Sequence, residues 1–227
     1  MNNFETRLSG VASLLGDKSR SVMLWNLMDG KAYTATELSL CADISPQSAS
    51  NHLAKLVNAG ILTVTKQGRH RYYSFASTEA AHVIESMATL LPPERDRVTK
   101  SNPGPVGIAY ARTCYDHIAG RVGVALTESL VEHRLIDPSG EDYLVTDKGK
   151  DWFASLGLDV EEIRSQRRSF ARQCLDWSER KPHLAGALGA SLLQMMLKKN
   201  WARKMSRELF ITAAGRSGLR DVLKLEI

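Results

Sequence analysis

The sequence predicts a mainly α-helical protein with small β wings, an α+β class, built in two parts. Three observations support this. Apolar side chains recur at helical spacing between Pro46 and Gly60. Residues 61–75 alternate around a glycine-containing basic tip, which is typical of a hairpin. The second half of the chain aligns with itself at a fixed offset, which indicates two copies of one structural unit.

Four helical segments precede the predicted hairpin. Three of them cover residues 4–15, 17–28 and 36–42, and the fourth begins near Pro46 and is ended by Gly60. The short third segment leads through Asp43-Ile44 into the fourth, which is the order of a helix-turn-helix, in which the first helix of the pair braces the second against DNA. With the hairpin after it, the first part is predicted to be a winged helix-turn-helix.

The fourth helix has the features of a DNA-recognition helix. Ser45 can cap it, Pro46 suits its first turn, and Gly60 ends it. One face is apolar, and the opposite face carries short polar side chains that can read base edges in a major groove. We expect base contacts from Gln47, Ser48, Ser50, Asn51 and His52. We expect backbone or minor-groove contacts from Lys55, Lys66, Arg69, His70 and Arg71.

The charge distribution favours double-stranded DNA as a partner. The chain has a formal net charge of +5, and no acidic residue occurs between Asp43 and Glu79. The predicted recognition helix and wing therefore form a locally cationic surface suited to phosphate. The alternative interpretation is a solvated face with a chance charge asymmetry.

This first part resembles the ArsR/SmtB family of bacterial winged-helix repressors. The matching residues are Leu15-Gly-Asp-Lys-Ser-Arg20, Glu37-Leu38, Ile44-Ser45, Ser50-Asn-His-Leu-Ala-Lys-Leu56, Ala59-Gly60-Ile61-Leu62, Gly68-Arg69 and Tyr72-Tyr73. The resemblance implies a homodimer formed by the first helix and the helix after the wing, here Thr78 to Leu91. Two recognition helices related by a two-fold axis would read an inverted repeat with half-sites roughly 34 Å apart.

The metal sites that the resemblance suggests are incomplete in this sequence. Only Cys41 represents the Cys-x-Cys pair near the third helix, and we expect it to be a packed core residue. His82-Val-Ile-Glu85 supplies half of the other site, but Arg69 and Arg71 stand upstream of it where ligands would be needed. We therefore expect His82 to be a surface or interface histidine.

The second half is predicted to be a sensor domain with an internal repeat. Proline-rich punctuation suggests a linker at 93–106 between a domain at 1–92 and one at 107–227, with repeats at about 114–153 and 180–219. His117 to Leu126 aligns with His183 to Leu192, and Tyr143 to Gly149 with Leu209 to Gly215. Each copy is interpreted as a winged-helix-like unit of helix, short strand, and Thr-x-x-Gly opening another helix. Small residues at 119, 120, 123, 185, 186 and 189 are expected to let two helices approach closely.

The repeat brings cysteines and histidines into related places. Cys114-Tyr-Asp-His117 is expected on one face of a helix, and Cys174 and His183 supply a second pair. Cys114, His117, Cys174 and His183 together form a candidate site for Zn(II), Cd(II) or Pb(II), with Asp116 and Asp176 as outer acceptors or hard ligands. Two alternatives stay open. The histidines could cap or hydrogen-bond the repeated helices with both cysteines buried, or the cysteines could form a thiol switch. Cations near such a switch are Arg164, Arg167, Arg168, Arg172 and Arg180.

These features predict a homodimeric transcriptional regulator, a repressor released by an effector. The aromatic residues of the second half could instead line a pocket for an organic ligand, and an effector-independent architectural DNA binder is the remaining alternative. These aromatic residues are Tyr110, Tyr115, Trp152, Phe170, Trp177 and Trp201. An enzyme is not expected, and no catalytic residues are assigned, because phosphate loops, nucleophile elbows and zinc-hydrolase motifs are missing from the sequence.

Composition supports a cytoplasmic location. No apolar run approaches the roughly 20 residues that span a bilayer. The N-terminus lacks the basic-then-apolar order of a signal peptide, and the 3 cysteines do not suit a disulfide scaffold.

Overall fold

The computed structural model describes residues 3–91 and 107–227. These residues form two compact units, divided between Glu85 and Ser86. The linker predicted at 93–106 lies outside the described residues. Within the described ranges, no helix has the length and apolar character needed to cross a membrane.

The N-terminal unit is a winged helix-turn-helix, as the sequence predicts. Its elements are α1 (Asn3–Leu15), α2 (Lys18–Leu27), β1 (Tyr33–Thr34), α3 (Ala35–Ala42), α4 (Pro46–Asn58), β2 (Leu62–Gln67), β3 (His70–Phe75) and α5 (Thr78–Ala88). The sheet order is β1-β3-β2, so the predicted hairpin gains a third, two-residue strand. The apolar faces of α2, α3 and α4 bury Leu24, Leu27, Leu38, Leu53 and Leu56.

Local sequence signals determine where the helix pair begins and turns. Thr34 and Glu37 form a reciprocal capping box at the start of α3. Asp43 ends α3 in the left-handed conformation, with φ 52°. Ser45 then accepts a hydrogen bond from the Ser48 N–H, and Pro46 occupies the first turn of α4. The polar face of α4 therefore stays on the outside of the unit.

The C-terminal unit contains two copies of a strand, helix, hairpin and helix. Its elements are β4 (Arg112–Cys114), β5 (His117–Ala119), α6 (Gly120–Glu132), β6 (Ile136–Ser139), β7 (Asp142–Val145), α7 (Asp147–Ser155), α8 (Val160–Arg164), β8 (Arg172–Leu175), β9 (Pro182–Ala185), α9 (Gly186–Lys198), β10 (Ala202–Met205), β11 (Glu208–Ile211) and α10 (Ala213–Leu223). β5 to α7 is matched, element by element, by β9 to α10. The sequence predicted a unit of helix, strand and helix. The structure differs in two ways: a strand precedes the first helix, and a hairpin replaces the single strand.

The two repeats exchange their hairpins. The sheets have the orders β6-β7-β8-β9 and β10-β11-β4-β5. The hairpin of the first repeat therefore joins the strand that opens the second, through Asp142 opposite Arg172. The hairpin of the second repeat joins β4 in the same way, through Glu208 opposite Arg112. Side chains from both repeats contribute to a single hydrophobic core, so neither repeat completes its sheet or its core alone.

Glycines make the strand-to-helix turns possible. Gly120 and Gly186 have φ of +77° and +78°, which favours glycine. A Cβ at Gly123 would lie 2.5 Å from the Ile118 carbonyl oxygen, and one at Gly189 would lie 2.4 Å from that of Leu184. The expectation of helix-to-helix contact was wrong for these glycines, because Gly123 and Gly189 let each helix fold back on the strand before it, and Gly120 and Gly186 lie against main-chain carbonyls of residues 109–110 and 169–170.

The Thr-x-x-Gly motifs act as helix N-caps, as predicted. Thr146 accepts a hydrogen bond from the Gly149 N–H at 2.9 Å, and Thr212 accepts one from the Gly215 N–H at 3.0 Å. These caps fix the start of α7 and α10.

Candidate functional site

The recognition helix presents an exposed polar row. Gln47, Asn51 and Lys55 lie on successive turns of α4 and are exposed. Ser48 and Ser50 are partly buried, and the Ser50 hydroxyl donates to the Pro46 carbonyl at 2.9 Å. The row has the polar donors and acceptors that base readout requires.

His52 lies apart from that row. Its Nδ1 is 3.0 Å from Arg20 Nη1 and 3.7 Å from Asp17 Oδ1. The Arg20 guanidinium also donates to the carbonyls of Ser13 and Leu14, so it ties the end of α1 to the recognition helix. The imidazole thus already has protein partners, and its position suits bracing of α4 better than base contact.

The wing places its cations in the open. Gln67 pairs with His70 and Lys66 with Arg71, so only Gly68-Arg69 forms the turn. Gly68 has φ of +58°, as a two-residue hairpin turn requires. Lys66, Arg69, His70 and Arg71 are all exposed. This arrangement gives a narrow cationic tip that can reach phosphate.

Cys41 and His82, which belong to the two incomplete metal sites suggested by the family resemblance, lie on α3 and α5. Cys41 is exposed on α3, so the expectation of a packed core cysteine was wrong. The side chain points outward because the apolar face of α3 is centred on Leu38. His82 on α5 is partly exposed.

The cysteines and histidines of the C-terminal unit lie on two β-hairpins. Cys114 is the cross-strand partner of His117, and Cys174 is the partner of His183. The predicted placement of Cys114 and His117 on one helix was therefore wrong. The chain reverses through Tyr115-Asp116 with Tyr115 at φ 58°, so a three-residue separation becomes a cross-strand pair rather than a helical turn.

The two pairs converge in the interior. One ligand atom from each of Cys114, His117, Cys174 and His183 lies within 4.8 Å of all the others. The Sγ atoms are 3.9 Å apart, and the two Nε2 atoms are 3.1 Å apart. The exposed fraction of these residues is 4% or less. We name these four residues the Cys/His centre.

An aspartate stands behind each imidazole of the Cys/His centre. Asp116 Oδ1 is 3.1 Å from His117 Nδ1, and Asp176 Oδ2 is 3.5 Å from His183 Nδ1. Both Nδ1 atoms thus face carboxylates while both Nε2 atoms face the centre. Asp116 acts as an outer acceptor for His117, and Asp176 faces His183 at ion-pair distance, an arrangement that resembles the carboxylate–histidine pairs behind metal ligands in other proteins.

Arginines hold these carboxylates in place. Arg168 Nη1 is 2.6 Å from Asp116 Oδ2, and Arg112 Nη2 is 2.9 Å from Asp176 Oδ2. Asp176 Oδ2 also accepts from the Gly120 N–H at 2.7 Å, and the Arg112 guanidinium lies over the Trp177 ring. Side chains of Arg112 and Asp176 are fully buried.

The pKa values in the centre reflect these contacts. Burial alone would raise the pKa of Asp176, but the Arg112 guanidinium and the Ser178 hydrogen bond outweigh it and hold the pKa well below its ordinary value. Burial would also raise the pKa of Asp116, which the hydrogen bonds to His117 and Arg168 keep lowered. Burial would lower the pKa of His117, but the Cys114 thiolate and the Asp116 carboxylate raise it to about 10.

Sequence reasoning missed Arg112 and named Arg168 only as a cation near the cysteines, not as the partner of Asp116. A signal for Arg112 was present, because Arg112-Thr-Cys-Tyr-Asp116 and Arg172-Gln-Cys-Leu-Asp176 share an Arg-x-Cys-x-Asp spacing. The two copies differ in the structure: Arg112 is buried, whereas Arg172 is partly exposed and pairs with Glu141.

Several of the arginines and aromatic residues of the alternative interpretations lie away from the Cys/His centre. Arg164 stacks over Phe170, and of the predicted thiol-activating cations Arg168 touches the centre, through Asp116. Trp152, Phe170 and Trp201 pack against the hydrophobic core. A groove of about 790 Å³ beside α9 has aliphatic, polar and lysine side chains in its lining, and none of the six predicted pocket aromatics.

Comparison with one known protein covers nearly the whole chain, and a family model covers part of its N-terminal half. A family described as a helix-turn-helix domain matches residues 15–65. The chain is 43% identical over 222 residues to the HTH-type transcriptional regulator YdfF of Bacillus subtilis (strain 168), covering 97% of this chain and 98% of that protein.

The solved structures that are similar to this chain match its N-terminal part. HlyU from Vibrio cholerae N16961 is 26% identical, with 40% of this chain and 97% of that chain covered and a TM-score of 0.36. The cadmium metal-sensor CMTR from Mycobacterium tuberculosis is 26% identical, with 37% of this chain and 82% of that chain covered and a TM-score of 0.30.

Proposed function

The chain belongs to the HTH-type transcriptional regulators, and from this premise we propose that it is a homodimeric repressor of the ArsR type whose Cys/His centre binds a soft divalent metal ion that releases it from DNA. The observation that carries the proposal is the convergence of four buried ligand atoms within 4.8 Å. The role of the family is regulatory rather than enzymatic.

The spacing of the ligand atoms supports a tetrahedral metal site. A zinc ion with Zn–S of about 2.3 Å and Zn–N of about 2.0–2.1 Å has tetrahedral edges of about 3.8 Å between sulfurs and about 3.3 Å between nitrogens. The corresponding distances here are 3.9 Å and 3.1 Å. Two thiolates and two imidazoles suit Zn(II), Cd(II) or Pb(II), and the two thiolate charges balance the ion.

The surroundings of the centre support the same proposal. Asp116 and Asp176 face the Nδ1 atoms, so the Nε2 atoms are the ones directed at the centre, where a metal ion would replace the Nε2 proton of His117. Each carboxylate is already paired with an arginine, so it adds little net charge to the site. The preformed geometry reduces the ordering that metal binding must impose.

The DNA contacts are proposed from the exposed faces of the N-terminal unit. Gln47 and Asn51 would contact base edges, and the wing cations would contact phosphate or the minor groove. Ser48 and Ser50 complete the proposed recognition set at less exposed positions, whereas His52 is assigned to bracing of α4 through Arg20.

An exposed apolar stripe supports the homodimer. None of the residues of α1 is buried, although Phe4, Leu8 and Val11 form an apolar row along it. Val83 and Met87 are exposed apolar residues on α5. A second copy of the chain would cover these surfaces, and the resulting two-fold symmetry would match an inverted repeat.

Metal and DNA would be linked through one equilibrium. If the metal-bound protein prefers an arrangement that fits the operator poorly, then metal weakens DNA binding by the same factor by which DNA weakens metal binding. This reciprocity is a quantitative requirement of the proposal.

The test is a Cd(II) titration of the reduced, metal-free protein. Ultraviolet thiolate-to-metal absorption would report binding, and fluorescence anisotropy would report the affinity for a duplex selected from a random library. We expect one Cd(II) per chain, loss of the band in Cys114→Ser and Cys174→Ser, and weaker DNA binding with metal. Cys41→Ser is the matched control, because this thiol is exposed and outside the centre.

Two outcomes would contradict the proposal. A band that persists in Cys114→Ser and Cys174→Ser would place the metal elsewhere. Stoichiometric binding with an unchanged DNA affinity would make the centre structural, as expected of an effector-independent DNA binder.

A further inference from the structure

The two sulfur atoms of the Cys/His centre face each other across the boundary between the repeats. Cys114 Sγ and Cys174 Sγ are 3.9 Å apart, although the residues are 60 positions apart in sequence. Both residues are buried, and each lies on a separate hairpin. The fold therefore places two of the three cysteine thiols next to each other, although they are distant in sequence.

The two sulfur atoms need to approach each other by only a short distance to form a disulfide. A disulfide has an S–S length of about 2.05 Å, so the gap of 3.9 Å must close by about 1.9 Å. Rotation of the cysteine side chains can supply much of this movement. Metal and disulfide would exclude each other because each uses both sulfur atoms.

We propose that the centre is redox-gated: hydrogen peroxide joins Cys114 and Cys174 in an intramolecular disulfide, and the centre can bind metal only when it is reduced. The consequence for metal rests on the proposed function, whereas the disulfide itself does not.

The reaction balances as a two-electron oxidation. The Cys114 sulfur attacks one peroxide oxygen, the O–O bond breaks, and the departing hydroxide takes the thiol proton, which gives a sulfenic acid and water. The Cys174 sulfur then attacks the sulfenic sulfur, and the displaced hydroxide leaves with the Cys174 proton as a second water. Each cysteine loses one electron, and the two peroxide oxygens are reduced.

The surroundings indicate why Cys114 reacts first. The Cys114 hairpin includes Asp116, whose side chain and that of its partner Arg168 are each 23% exposed. The corresponding carboxylate on the Cys174 hairpin, that of Asp176, is fully buried. We therefore expect peroxide to reach the centre from the Asp116 side, where Cys114 supplies the sulfur.

The experiment uses the full chain in a Cys41→Ser background, because the exposed Cys41 thiol would otherwise form bonds between molecules. Metal-free, reduced protein is treated with hydrogen peroxide, then alkylated, digested without reductant and analysed by mass spectrometry. A Cd(II)-loaded sample and an untreated sample accompany it. Protein treated in denaturant shows that the oxidant is active.

We expect a peptide that links Cys114 to Cys174, with a mass lower by two hydrogen atoms than that of the two thiol peptides together. The cross-link should disappear with reductant, and Cd(II) should prevent it. With Cys174→Ser, Cys114 should stop at sulfenic or sulfinic acid. Cd(II) absorption should be lost in the oxidised protein and return after reduction.

Two results would overturn the inference. One is sulfinic acid on either cysteine without a cross-link in the native Cys41→Ser protein. The other is thiols that stay reduced in the native protein while the denatured sample is oxidised. A cross-link in a protein that does not bind Cd(II) would refute the proposed function alone, and Cd(II) binding without a cross-link would refute the redox gate alone.

Discussion

The buried ion pair behind His183 makes the sharpest prediction about stability. Arg112 Nη2 and Asp176 Oδ2 are 2.9 Å apart, and both side chains have 0% exposure. Asp176→Asn keeps the shape of the side chain but removes its charge. The Arg112 guanidinium would then be a buried cation without its ionised partner, which costs far more than the loss of one hydrogen bond.

The size of the effect follows from this geometry. Removal of one partner of a buried pair costs about 3–5 kcal/mol in the free energy of unfolding. For the roughly 120 residues described from 107 to 227, an unfolding entropy of about 2.1 cal/mol/K per residue converts each kcal/mol into about 4 °C. We therefore expect the melting temperature of Asp176→Asn to fall by about 12–20 °C.

Near-ultraviolet circular dichroism of metal-free protein would follow this transition, because Trp152 and Trp201 of the C-terminal unit pack on its core. Glu128→Gln is the matched control. It breaks a 2.7 Å ion pair with Lys181 that is exposed, and it should leave the melting temperature unchanged. A fall of less than about 4 °C in Asp176→Asn, equivalent to about 1 kcal/mol, would refute the reasoning. Arg112→Met combined with Asp176→Asn should recover part of the loss, with a coupling energy above about 1 kcal/mol.

Three further predictions concern the DNA interface, a buried turn and the dimer. Arg69→Ala should weaken binding to every duplex and lower the salt slope by about one, whereas Asn51→Ala should change base preference; a sequence-selective effect of Arg69→Ala would contradict the assignment of the wing. Gly149→Ala should destabilise the protein by about 1–3 kcal/mol or more, because its Cβ would lie 2.0 Å from a main-chain carbonyl oxygen. Gly10→Ala, which meets nothing within 4 Å, is the control, and equal melting temperatures for the two variants would show that the turn adapts. Leu8→Glu should convert dimers to monomers in light scattering without loss of helical circular dichroism, and an unchanged mass would exclude α1 from the interface.

The N-terminal unit was predictable because its signals are local. The Ser45 cap, Pro46 and the apolar spacing of α4 act within a few residues, and the structure places the helix at Pro46–Asn58. The strand β1 was missed because two residues carry no alternation to detect. Cys41 was misplaced because a short helix gives too few positions to define its buried face.

The C-terminal centre was only partly predictable. The repeat in sequence correctly paired His117 with His183, but the helical interpretation of Cys114 and His117 failed because Tyr115 adopts a positive φ in the turn, where glycine or asparagine would be the usual signal. The convergence of the two pairs depends on the contact between β5 and β9, which come from different repeats. That contact is a long-range property of the fold, and no short motif encodes it.

The exchange of hairpins also indicates a route by which a molecule of this kind can arise, through duplication of a single repeat. A single repeat of this kind has a hairpin without a partner strand and an opening strand without a hairpin, so two separate copies would complete each other as a symmetric dimer. In such a dimer each copy would contribute one cysteine and one histidine, and the centre would lie on the two-fold axis. Duplication and fusion would turn that pair into one chain and free its halves to diverge. The turn between Cys114 and His117 has two residues, whereas the segment between Cys174 and His183 has room for Trp177 and Ser178, which contact Arg112. The two sides of one centre are therefore chemically different.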